Sequence, residues 1–171
     1  MEKQLLINGD LMNSQKTYIK YGRELDLFFG KLVGMGTFFA MLVAVVQIIN
    51  LFLHGITNHH LLMLVAAMFS VVILLKYASL AIKEAETGIA ERKFSSLLIG
   101  VGAFFPYLFG TYLCAYEGIW KLLSLFGQFS FGGVFSAFFY LIAGFKIVSC
   151  VYVISEFFRS VDEGRVVIEK V

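Results

Sequence analysis

Lys146 stands inside an otherwise uncharged apolar run, which makes it the side chain with the most chemistry to explain. It lies about nine residues from one end of that run, or ~14 Å along a helix axis, near the middle of a hydrocarbon layer ~30 Å thick. A charge there costs at least ~2.5–3.5 kcal/mol on insertion scales, so it needs a partner or a route to water. A neutral amine, backbone carbonyls, an acid on another subunit and a bound anion each meet that need. Pro106, the only proline, sits in the middle of another apolar run and cannot donate to the carbonyl of Gly102. The two positions fall at similar depth, and the spacing predicts a hydrogen bond from Lys146 to that freed carbonyl. Lys76, in a third run, is shallower and can extend its stem to the headgroups. Lys146, Gly102, Pro106 and Lys76 therefore form a candidate intramembrane polar or anion site, with an ordinary kink and a snorkelling lysine as the structural alternative.

A second set, Gln47, Asn50, Tyr112, Tyr116 and Tyr140, falls at a common level nearer the opposite surface. It is expected to bond between helices or to line a shallow cavity. His54, His59 and His60 are close together, but their loop has neither a cysteine nor an acid to complete a metal site, so a polar membrane-edge loop is expected. Gly30, Gly34, Gly36, Gly100 and Gly102 lack the third glycine and preceding strand of a nucleotide fingerprint. In a bilayer such residues let backbones approach, and packing of the odd-numbered helices against each other or against another copy is expected. Paired carboxylates, a Ser–His or Cys–His arrangement and a phosphate loop are all missing from the pattern, so no catalytic residues, no cofactor and no enzyme activity are expected.

Positioning these residues takes long helices. With 59% hydrophobic and 15% charged residues, a soluble domain of 171 residues would have too little polar surface to cover its core. Four stretches, roughly 32–53, 61–82, 94–116 and 133–155, reach the ~20 residues that a bilayer-spanning helix needs. Of the 14 basic residues, all but Lys121 and Lys146 fall in the ends or beside the second link, and acidic residues are interspersed among them. The positive-inside rule then makes both termini cytoplasmic in a multipass inner (plasma) membrane protein, and nucleic acid is not an expected partner. The first 30 residues show no cleavable signal peptide. Asn8-Gly9-Asp10 marks a turn, and Tyr18, Tyr21, Leu25 and Phe28 recur at helical spacing after a cap at Asn13 or Ser14, predicting an amphipathic interfacial helix. The second link, with Gly88, reads as an extension of the second helix followed by a turn. The third, from Glu117 to Gly132, holds the only Trp and is expected to lie along or dip into the outer surface. Residues 165–171 alternate charge with Val and Ile, fitting a short strand or helix recruited by a partner, with fraying as the usual fate of such ends. Cys114 and Cys150 fall at different depths, too far apart for a disulfide and suited to apolar filling.

The chain also repeats itself. Residues 32–42 (LVGMGTFFAML) and 98–108 (LIGVGAFFPYL) match at six of eleven positions, and Ala67, Phe69, Lys76 and Ser79 align with Ala137, Phe139, Lys146 and Ser149. The expected fold is an all-α integral membrane protein with four transmembrane helices in two tandem parallel-repeat hairpins and an amphipathic N-terminal helix. The segments are 1–30 cytoplasmic or interfacial, 31–93 and 94–158 the two hairpins, and 159–171 a cytoplasmic tail. The expected role is a non-enzymatic subunit or accessory protein of a larger secretion, transfer or transport assembly, bound to lipid and to other membrane subunits or to copies of itself. A small oligomeric channel or transporter with its site near Lys146 and Pro106 is the alternative.

Overall fold

The structure, a computed structural model, describes residues 17–20, 23–87, 95–162 and 166–169. A strand β1 (Thr17–Lys20) leads into α1 (Arg23–His54), α2 (Asn58–Thr87) and α3 (Ser95–Tyr112). A π-helical segment (Leu113–Trp120) and a single turn α4 (Lys121–Ser124) continue α3, before α5 (Phe131–Asp162) and strand β2 (Val166–Glu169) close the chain. The turn signal at Asn8, the caps at Asn13 and Ser14, Tyr21 and Gly88 lie outside the described residues.

Among the described residues, three helical stretches are long and apolar enough to cross a bilayer: Val33–His54, Asn58–Leu80 and Phe131–Phe157. Their packing suits lipid as the solvent. Many buried positions are small, among them Ala40, Ala44, Ala67, Ala78, Ala103, Ala137 and Ala143, beside larger ones such as Leu74, Leu113 and Ile154, whereas Phe38, Phe52, Leu62, Phe104, Phe135 and Phe145 are exposed. A water-soluble globule places its large apolar side chains the other way round. Lipid offers no hydrophobic force to join helices, so contact rests on close approach at small residues. The chain has the make-up of a membrane protein.

Helices α2 and α5 touch at the centre, and each also packs against α1 and α3. Direct α1–α3 packing is not among the main contacts, which corrects the expectation that the glycine-bearing odd helices meet each other. Gly36 lies instead against α5, where an added Cβ would stand 2.7 Å from the Cβ of Cys150. Gly102 faces Ile73 of α2 at 4.0 Å, while Gly30 and Gly34 face open space. The tightest crossing was not anticipated. Gly110 and Gly144 bring α3 and α5 together so closely that a Cβ on Gly110 would lie 3.0 Å from the carbonyl oxygen of Gly144. The face of Gly100 lies outside the described side chains.

Three further expectations change. The segment read as an interfacial helix holds β1, whose Thr17, Tyr18, Ile19 and Lys20 pair in parallel with Val166, Val167, Ile168 and Glu169. The β-branched and aromatic residues of both segments favour strand once a partner strand is present. Residues 166–169 of the tail are thus paired rather than frayed, and the first and last described segments meet. The third link begins as helix rather than as a separate segment. The backbone stays helical through Tyr112 (φ −60°, ψ −45°) and Trp120 (φ −62°, ψ −43°), carrying the α3 direction on to Ser124. Helix α1 begins at Arg23 and α5 ends at Asp162. Both cysteines are free: Cys150 meets α1, and Cys114 lies beside Leu141 and Gly144 of α5.

A matched pair of substitutions tests the crossing. Gly144→Val forces α3 and α5 apart and is expected to cost about 1–3 kcal/mol, as overpacking of a tight contact does. Gly34→Val, which enters open space, should leave the melting temperature in detergent nearly unchanged.

Candidate functional site

At the end of the bundle away from the strands, five helical elements contribute to one polar network. Two short connections set it up. Gly55, at φ 80°, ends α1 in the left-handed region that glycine adopts without strain. Thr57 then caps α2, its Oγ1 accepting from the His60 N–H at 3.3 Å, so His59 and His60 fall in the first turn. Ser130 caps α5 in the same way, accepting from the Gly133 N–H at 3.0 Å.

Glu117 is the centre of the network. Its side chain is only 7% exposed, and its carboxylate accepts from His59 Nε2 at 3.0 Å and from Lys121 Nζ at 3.3 Å. Lys121 also donates to Ser136 Oγ at 3.2 Å and lies 4.5 Å from the centre of the Tyr140 ring. One turn inward, Gln47 is buried and donates through Nε2 to the Tyr140 hydroxyl at 3.0 Å. Its Oε1 lies 2.9 Å from His60 Nδ1, and since a carboxamide oxygen only accepts, Nδ1 carries the proton in this arrangement. The rings of His59 and His60 meet edge to face, with centroids 5.6 Å apart. A hollow of about 540 Å³, lined by Lys121, Ser124, Gln128 and Ser136 among others, keeps one side of the network open to solvent.

This arrangement joins α1, α2, the π segment, α4 and α5 through complementary groups, and no described buried side-chain nitrogen or oxygen lacks a hydrogen-bond partner. Among the described residues there is no group of three or more His, Cys, Asp or Glu side chains placed to hold a metal ion. The chemistry available is that of a clamp. A buried carboxylate held by a lysine and an imidazole fixes the ends of separate helices against one another.

Of the residues expected in this cluster, Gln47 and Tyr140 are brought together. Asn50 is half-buried without a bond to them. Tyr112 and Tyr116 stack on each other, with centroids 5.2 Å apart, on an exposed flank. The loop of the histidines holds no acid of its own, and Glu117 arrives from another helix to pair with His59. The sequence does carry a signal for it: Glu117 and Lys121 are four residues apart with the acid first, the favoured order on a helix. Reading residue 117 as the start of a surface link hid that spacing. The π-helical geometry here is rare and recurs at functional positions.

The four residues of the expected mid-span site do not converge. Gly144 faces α3, and Lys146, two residues or ~200° further round the helix, points away from it. It lies one turn before Cys150, which faces Gly36, so it sits half-buried at the flank between α1 and α5. Pro106 is buried one turn before Gly110, and Gly102 faces α2. Lys76 is exposed one turn before the apolar part of α2 ends. The Lys146–Gly102 hydrogen bond is therefore not formed. No family, curated protein or solved structure matches this chain.

Replacing Glu117 with Ala leaves a lysine and an imidazole facing each other without their shared carboxylate. The expected loss is about 1–3 kcal/mol, below the ~3–5 kcal/mol of a fully buried pair, because the partners remain partly solvated. Combining His59→Ala with Glu117→Ala in a thermal-melting cycle should give a coupling of about 0.5–3 kcal/mol. Gln47→Leu, which strands Tyr140 and His60, is expected to cost a similar amount.

Proposed function

We propose that this chain is a non-enzymatic multipass subunit or accessory protein of a larger membrane assembly, such as secretion, transfer or transport machinery. The observation that carries the reading is Lys146. It is half-buried well inside an apolar span, and among the described residues it forms no hydrogen bond or ion pair. Its ammonium is a group that the chain alone leaves unmatched, and a partner in the membrane is what matches it. Support also comes from α1, where Gly30 and Gly34 present a smooth exposed face that another helix can approach. The polar residues at the other end are, by contrast, already engaged with one another.

In this reading α3 with its π-helical continuation is the fourth spanning helix, and α1–α2 and α3–α5 are the two hairpins of the repeat. Gly36 faces α5 and its counterpart Gly102 faces α2, in each case the second long helix of the other hairpin, which supports a parallel repeat although the contacts are displaced along the helices by about two turns. The basic residues near the ends place both termini in the cytoplasm of an inner (plasma) membrane protein. A channel or transporter organised around Lys146 and Pro106 has less support. The two residues face different neighbours, and the close approaches at Gly36 and Gly110 leave little room for a path through a single copy.

Purification of the tagged chain from its native membrane in mild detergent should recover further membrane proteins in fixed proportion. A lone monomer free of companions would end the subunit reading. Topology is tested with single cysteines in a chain carrying Cys114→Ala and Cys150→Ala. Thr57→Cys should react with an impermeant maleimide in intact cells, and Ser160→Cys only after permeabilisation.

A further inference from the structure

We infer that the flank between α1 and α5 at Lys146 receives a spanning helix from a different protein, and that this helix carries an Asp or Glu near the middle of the bilayer. The inference rests on the subunit reading above and names the chemistry of the partner.

Depth comes first. Lys146 lies eleven residues before Phe157, where the apolar part of α5 ends, a distance of ~16 Å along the axis. That is well beyond the reach of a lysine stem, so a lipid phosphate on the near side is out of range. Lys76, one turn from the end of its own span, has no such difficulty.

The chain's own acids do not answer the charge. Residues 32–53, 61–82, 94–116 and 133–155 contain no Asp or Glu. Glu117 is at the far end, engaged by His59 and Lys121. Glu156 lies almost three turns nearer the strand end, 3.7 Å from Arg159. Ser149, one turn from Lys146, donates its hydroxyl to the carbonyl of Phe145 at 2.7 Å.

The same count excludes a second copy of this chain as the source of the counter-charge, because its spans would bring only more lysine to that depth. What remains is a carboxylate on the helix of another protein, which forms a charge-assisted hydrogen bond in a medium where few competitors exist. The Lys146 side chain is only half-buried at this flank, which leaves it within reach of such a helix. Exposed Ile142, one turn away on the same face, would lie in the contact.

The test uses the full chain in its native membrane, with a photo-reactive amino acid in place of Ile142 and with Lys146→Met and Lys146→Glu. Cross-linking at position 142 should reach a membrane protein whose span contains Asp or Glu at matching depth. Lys146→Met and Lys146→Glu should lower its recovery by about tenfold or more. Changing the partner's acid to Lys should restore recovery with Lys146→Glu and with no other variant. Each variant's melting temperature in detergent should match the parent, separating lost binding from lost folding. Companions recovered in full with Lys146→Met would overturn this inference and leave the subunit reading standing, as would a cross-linked partner lacking a membrane-embedded acid or a product with lipid alone. A parent chain that brings down no companion would overturn both.

Discussion

Helices in lipid gain nothing from hiding apolar surface from water, and the rest of this structure depends on that constraint. They hold together only where backbones come close enough for dispersion contact or where polar groups bond across them. Both devices are used, at different places. Near the middle, Gly36 against Cys150 and Gly110 against Gly144 bring α1 and α3 onto α5, with alanines filling much of the remaining interior. At the end away from the strands, Glu117, His59, Lys121, Gln47, His60 and Tyr140 bond across the helices. Many large apolar side chains, Phe38, Phe52, Phe104 and Phe135 among them, cover the outside.

The polar network explains why α3 continues as it does. To bring the Glu117 carboxylate to His59, the chain must stay helical past Tyr112, and Gly118 must sit against Leu141 of α5. An added Cβ on Gly118 would fall 2.6 Å from the Leu141 side chain. The wider π turn and the missing side chain act together, rotating the acid inward while allowing close approach. Burial of Glu117 is tolerable because its two partners face water on one side, so the group is neither fully desolvated nor unmatched.

Lys146 is the contrasting case. Its position is set by the same helix that places Cys150 against α1 and Gly144 against α3, and among the described residues no side chain offers it a negative charge. A cation in that situation is retained at a cost unless something outside the chain repays it. The difference between Glu117 and Lys146 is therefore one of company. One charge is completed within the chain, and the other faces outward.

Hydropathy, charge distribution and length were enough to read from the sequence the lipid-facing character, three of the helices and much of a fourth, because those properties are summed over many residues and need no knowledge of neighbours. Lys146 and Gln47 stood out for the same reason, as polar groups in long apolar runs. The sequence did not reveal which glycines meet which helix, since the 3.6-residue period fixes faces but not the choice among neighbours. Gly36 met Cys150 while Gly34 met nothing, although both sit in the same motif. Nor did it reveal that Glu117 completes the histidine pair, or that the tail pairs with residues 17–20, because both contacts join segments far apart in the chain. Local pattern determined the medium and the elements; only tertiary packing decided which charges found partners, because pairing depends on distances that no linear spacing encodes.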